Sequence, residues 1–319
     1  MRAPRERGAA ILTAMLTVVL VASLAASALW QQWRAFEVET AERSRTQSAW
    51  VLTGALDWAR LILREDARKG GADHLAEPWA VPLEQARLST FLAADRSDTL
   101  SAEDSQEAFL SGQIIDLQSR LNVANLIQNG KVDEPAQLAF ARLFDLLNLP
   151  LAELSMMTEN LRLMQDASVE SRSNMAMPLW PQDVDQLVWV GLSQRSLAVL
   201  RPYITLLPVR TPVNLNTASA EVIYACVEAF EMSDATRFVR SRELSHLSAL
   251  SDAEKIAGAS GARFVEGQHS ISTRYFEVHG NLQVEQTTVR ERSVVQRDGM
   301  EVKTLSRKLG VAAPGAPLQ

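Results

Sequence analysis

Cysteine is nearly absent from this chain of 319 residues, Cys226 being the only one. An intramolecular disulfide is therefore excluded, and packing alone must hold any core. Cys226 is expected on a buried stripe with Val222, Ile223, Val227 and Phe230. Histidine is scarce too. His74, His246, His269 and His279 have no metal-ligand spacing among them, and each reads as a lone surface side chain. No Gly-x-Ser-x-Gly, P-loop or dinucleotide fingerprint occurs, so the chain reads as a non-enzyme. An excess of positive charge is also missing. The net charge is −6 with 22% charged residues, not the composition of a polyanion binder. Charge is missing altogether from Ala9 to Trp33, and proline from residues 34 to 68.

What is there begins with Arg2, Arg5, Arg7 and Gly8, followed by the uncharged run through Val18, Leu24 and Trp30 to Trp33. About 20 apolar residues at about 1.5 Å each cross a hydrocarbon core of about 30 Å. Backbone polar groups find no water there, so the run must be helical. The arginines before it keep the leader cytoplasmic and send the rest across the membrane. Three readings share this stretch. A secretory signal peptide is one, although the run exceeds an h-region of about 7–15 residues. An ordinary signal anchor is the second. The third is a leader resembling that of prepilins, cut between Gly8 and Ala9. Pilin-like proteins generally carry Glu at the fifth residue after that cut; here the residue is Thr13.

Beyond the membrane the helix should continue. Leu52, Ala55, Leu56, Ala59, Ile62 and Leu63 recur at helical spacing, with Arg60 and Arg64 off that face. One helix of about 60 residues would be about 90 Å long, ended by Gly70-Gly71. Leu83 to Leu92 reads as a short helix. Asp95, Asp98, Glu103 and Asp104 read as a solvated acidic loop whose spacing matches no calcium-binding EF-hand. Ile114, Ile115 and Leu117 suggest a strand. Pro135–Leu147 and Leu151–Asp166 suggest helices, and residues 168–173 a loop.

A short helix then opens at Trp180–Leu187, followed by a tight connection at Gly191 and an N-cap at Ser193. Leu197–Leu207 is a second helix or a half-extended run, and Ser219 caps a helix over 219–230. Helix, glycine hairpin, helix resembles a helix-hairpin-helix module, which in some proteins holds a DNA phosphate. Residues 181–270 carry eight Lys/Arg against ten Asp/Glu, so a packing role is expected and nucleic acid is not. After Gly261 the period becomes alternating. Ser270–His279, Asn281–Val295 and Val302–Leu305 read as three strands of an antiparallel meander. A type I′ turn is expected at Asp298-Gly299, and a disordered tail from Ala312.

Taken together, the chain resembles the K-type minor pseudopilins of type II secretion systems over nearly its whole length. The residues carrying this are Arg7-Gly8 with the apolar run, Thr13, Ile115-Asp116-Leu117, Arg120-Leu121-Asn122, Trp180–Asp183, Leu207-Pro208, Thr211–Ser219 and Arg274–Val278. The resemblance implies an α+β fold: a pilin-like long N-terminal helix on a small antiparallel sheet, with a large inserted all-helical domain containing helix-hairpin-helix or SAM-like units. The implied boundaries are a leader at 1–8, a membrane segment at 9–33 and an amphipathic segment at 34–69. The first part of the pilin-like domain spans 70–117, and the insert 118–270, with its SAM-like unit at about 181–250. The last strands span 271–309 and the tail 310–319. It implies a subunit at the tip of a periplasmic pseudopilus, anchored once in the inner membrane of a Gram-negative bacterium, helping assembly start and proteins cross the outer membrane. The implied partners are the I- and J-type minor pseudopilins, the major pseudopilin, the prepilin peptidase and the inner-membrane assembly platform. Leu52, Leu56, Ala59 and Leu63 are the expected partner-helix interface, and Ala9 a candidate for methylation. Some relatives bind calcium after the first strand of the insert. Here that region reads Phe144–Pro150 with few carboxylates, so no cofactor is expected. A minor pilin of a DNA-uptake system is the alternative.

Overall fold

The computed structural model describes residues 7–88, 108–166, 179–258, 261–284 and 287–312. Leader residues 1–6, the acidic loop with Asp95 and Asp104, the segment 168–173 and the tail beyond Ala312 lie outside them. The chain divides into two compact units, Met1–Gly54 and Ala55–Gln319. The described part of the first is helix throughout, belonging to the helix Arg7–Lys69.

The second unit is built on a five-stranded antiparallel sheet. In chain order the strands of the unit are β1 (Leu83–Arg87), β2 (Ala108–Asp116), β3 (Leu121–Asn122), β4 (Ile127–Gln128), β5 (Lys131–Val132), β6 (Ile204–Thr205), β7 (Val213–Asn214), β8 (His269–Ser270), β9 (Tyr275–Val284), β10 (Thr287–Asp298) and β11 (Glu301–Ala312). The sheet runs β1-β2-β9-β10-β11. Alternation puts Phe276, Val278 and Val295 on the face that packs against Leu56, Ala59 and Leu63 of the helix, with Trp79 edge-on to Phe276. Arg60 of the helix donates two hydrogen bonds to the Val302 carbonyl, at 3.0 and 2.8 Å, tying the helix to β11.

The sheet is interrupted once. The chain leaves after Asp116 and returns at Tyr275, and Asp116 pairs with Phe276, so both ends of the insert meet on neighbouring strands. The insert has its own core, with Phe140, Leu143 and Phe144 of helix Glu134–Leu146, Met157 and Leu161 of helix Leu151–Asp166, and Phe230 and Phe238 all buried.

Several expectations need correction. Leu83–Arg87 is a strand, not the start of a helix: it finds a partner in β2, with Leu83 opposite Gly112 and Ala86 opposite Leu110, and pairing overrides local composition. The insert is not wholly helical. Among the described residues it contains three two-residue ladders, β3 with β6, β4 with β5, and β7 with β8. His269-Ser270 belongs to the last of these rather than to the sheet. Gly280 does not separate two strands but lies inside β9, opposite Gly112. A Cβ on Gly112 would sit 2.6 Å from the His279 carbonyl oxygen, so glycine here serves close backbone approach. The last hairpin turns at Gly299-Met300, one residue later than expected, because Asp298 pairs with Glu301. The Leu197–Leu207 stretch is both things in turn, helix to Leu200 and strand at Ile204. The helix after Ser219 stops at Cys226, short of residue 230. Arg142 explains that stop: its guanidinium donates to the carbonyls of Tyr224, Glu228 and Phe230, capturing acceptors that a continued helix would use.

Candidate assembly interface

From Ile11 to Trp33 every large apolar side chain is 56–69% exposed. Three of the four hydroxyls in the run bond inside the helix. Thr13 donates to the Ala10 carbonyl at 3.0 Å, Thr17 to Ala14 at 2.9 Å and Ser23 to Leu20 at 2.9 Å. A hydroxyl bonded in this way enters hydrocarbon with its donor satisfied. Gly8 and Ala9 lie in the first turn of the helix.

The expected partner stripe is used differently. Leu56, Ala59 and Leu63 are 5%, 4% and 0% exposed, buried against the chain's own sheet. Leu52 is buried as well, at 1%. The periodicity was sound, but the surface it fits is intramolecular: burying such side chains contributes about 1.5–3 kcal/mol each to the fold itself. Other positions stay open on the helix. Phe36, Val38 and Trp50 are exposed in the first unit, and Trp58 and Leu61 are each 42% exposed in the second. Sequence reasoning missed them because they follow no simple repeat.

The hairpin at Gly191 is closed to phosphate. Gly191 adopts φ +118°, and a Cβ there would meet Met156 at 2.8 Å. Asn160 donates to the Val190 carbonyl at 3.0 Å. The Ser193 N–H, a donor that could hold an anion, donates to the Glu153 carboxylate at 3.1 Å. Burial opposes that charge, but the Ser193 and Ser196 hydrogen bonds prevail and hold the carboxyl below its usual range. The hairpin therefore already contains its own anion.

The signature asparagines and aspartate converge on the junction of insert and sheet. Buried Asp116 accepts from Thr217 Oγ1 at 2.5 Å, Asn214 Nδ2 at 2.9 Å and the Gln118 N–H at 2.6 Å. Burial pushes its pKa up, against these donors. Asn122 accepts from the Leu207 N–H and donates to the Val209 carbonyl and to Thr211 Oγ1. Gln118 bridges onward, donating to the Pro212 carbonyl and accepting from the Arg274 N–H at 2.7 Å. Beside them Arg297 binds Asp66 at 2.6 Å and also binds Asp73. Asp66, Asp73 and Glu77 form the one group of three close carboxylates among the described residues, and Arg297 neutralises part of it. Burial raises Glu77 to about 7, despite hydrogen bonds from the His74 N–H and Trp79 Nε1.

None of the four histidines is a lone surface side chain. His74 and His246 stack on each other, His269 is buried, and His279 binds Glu277. Burial opposes the Glu277 charge, yet His279 and Arg292 hold that carboxyl below the ordinary range. Burial pushes the Cys226 thiol up to about 12, and it donates weakly to the Ile223 carbonyl.

Two family models described as Type II secretion system (T2SS), protein K, match residues 119–209 and 213–272, which together span the insert and its junction. Over these residues the chain matches the type II secretion protein K family. It is 25% identical over 329 residues to Type II secretion system protein K of Pseudomonas aeruginosa, across 96% of this chain and 93% of that one. The fold is also that of a chain in the crystal structure of the GspK-GspI-GspJ complex from enterotoxigenic Escherichia coli. The TM-score is 0.60 at 16% identity, covering 85% of this chain and 98% of the other. These matches support a minor pseudopilin of type II secretion, and the matched residues include Asn122 and Asn214 of the junction just described.

Proposed function

We propose that this pseudopilin sits first in the pseudopilus, at its tip, held in the inner membrane by residues 9–33 with the rest of the chain periplasmic, and helps assembly and export begin. The observation that carries this is Thr13. In a shaft subunit the Glu usual at this position offsets the free amine of a neighbour, because an unpaired charge in hydrocarbon is costly. Thr13 instead closes its hydroxyl on its own helix. A subunit with nothing above it needs no counter-charge, while subunits below can supply a Glu to the amine of Ala9. The implied leader cut lies between Gly8 and Ala9, by prepilin peptidase.

The partners follow from the E. coli relative, which was solved with GspI and GspJ. With Leu56, Ala59 and Leu63 used internally, the contact for I- and J-type partners falls to the exposed helix positions, Phe36 and Trp50 first. These two lie about four turns apart and so on one side of the helix. The insert adds bulk that would clash with a subunit stacked above. No nucleic-acid role is proposed, since Glu153 fills the hairpin. The test is in-cell crosslinking of Thr13→Glu against the parent chain. The tip reading expects Thr13→Glu to leave the protein unable to replace the major subunit. Crosslinks along the whole shaft would defeat it.

A further inference from the structure

We propose that the stacked His74 and His246 form an acid-sensitive latch holding the inserted domain against the linker that follows the long helix. His74 lies in that linker, between the helix and β1; His246 lies in the insert, just after helix Met232–Leu244. Their rings are 3.8 Å apart and inclined by only 12°. Stacking of this kind suits neutral rings and tolerates one charge, but two imidazolium ions face to face repel. A second feature fixes the neutral form. His74 Nδ1 accepts a hydrogen bond from the Ala76 N–H at 3.2 Å, so the proton of the neutral ring is on Nε2. A proton added to Nδ1 would point at that N–H, and the hydrogen bond would be lost together with the stack.

The surrounding charges are divided. Asp66 of the long helix and Asp73 of the linker favour the charged ring, but both are committed to Arg297 of β10. Glu77 accepts from the backbone N–H of His74 rather than its ring. Burial first, and His246 second, lower the His74 pKa below 6.5 against those two aspartates. The sign follows. A base whose folded pKa is depressed keeps the latch closed above 6.5. Closure is lost as pH falls below 6.5, by up to about tenfold per pH unit for one proton taken up.

The experiment is hydrogen–deuterium exchange of the full chain in detergent micelles at pH 7.5 and 5.5, corrected for the intrinsic rate. It follows peptides covering 73–77 and 245–249. In the parent chain both should lose protection severalfold at pH 5.5. His74→Phe, which keeps a flat ring but takes no proton, should show no pH response in either peptide, with the Ala76 N–H left without its acceptor at both pH values. His246→Gln, at an exposed position, should be weakly protected and pH-independent. Unchanged protection in the parent chain would overturn the latch. So would a pH response that survives both histidine variants, or one abolished by Glu77→Gln, since Glu77 would then be the sensor.

Discussion

Two stretches of one helix, Ile11–Trp33 and Leu52–Leu63, are both rich in leucine and alanine, yet opposite in use. In the first no large apolar side chain is covered; in the second Leu52, Leu56, Ala59 and Leu63 are 5% exposed or less. Apolar residues all round a helix point to a lipid or protein environment supplied from outside, whereas an apolar stripe points to a surface the chain can supply itself. Leu56, Ala59 and Leu63 are taken up by the chain's own sheet, and the proposed partner contact is therefore put on positions that the stripe leaves open.

The sharpest way to break that comparison is to shorten one leucine in each stretch. Leu63→Ala should cost about 2–5 kcal/mol of unfolding free energy, through lost transfer and a cavity beside Phe276 and Val278. Leu20→Ala should leave unfolding of the second unit unchanged. Urea unfolding in micelles, followed by near-ultraviolet circular dichroism, measures both. Next comes the junction. Asp116→Ala strands the donors of Thr217, Asn214 and Gln118 and should cost about 3 kcal/mol, with protection in 211–219 lost before protection in β10.

A smaller effect separates burial from charge. Glu77 has a folded pKa raised to about 7 from 4.5. The folded state therefore binds the extra proton, and stability falls as pH rises between those values, then levels off. Glu77→Gln should remove that slope and stabilise the chain by roughly 1–2 kcal/mol at pH 8, read from the same unfolding curves. The smallest effect on the fold should come from Trp50→Glu. It should leave unfolding unchanged within about 0.5 kcal/mol, as at an exposed site, while weakening co-purification with other minor pseudopilins.

Much of this was legible in the residues. The uncharged run, the strand period after Gly261 and caps such as Ser193 and Ser219 are local signals, and Ser193 and Ser219 do cap, accepting from Ser196 and Val222. The partners of those elements were not legible. Strand Leu83–Arg87 exists because β2 lies beside it, Gly280 looks like a break until Gly112 is opposite, and the helix end at Cys226 is set by Arg142, more than eighty positions away. His74 and His246 likewise meet only in three dimensions. The motif Thr211–Ser219 could be recognised as a signature, but the reason for its asparagines is the Asp116 junction, which no spacing reveals.

The central claim is that exposed helix positions, not the buried stripe, meet the other pseudopilins at the tip. Site-specific photocrosslinking in secreting cells tests it directly, with the crosslinker placed in turn at Phe36, Trp50, Leu56 and Leu63. Crosslinks from Phe36 and Trp50 to I- or J-type minor pseudopilins, and none between chains from Leu56 or Leu63, are the predicted result. Efficient crosslinks to those partners from Leu56 or Leu63, with none from Phe36 or Trp50, would contradict it.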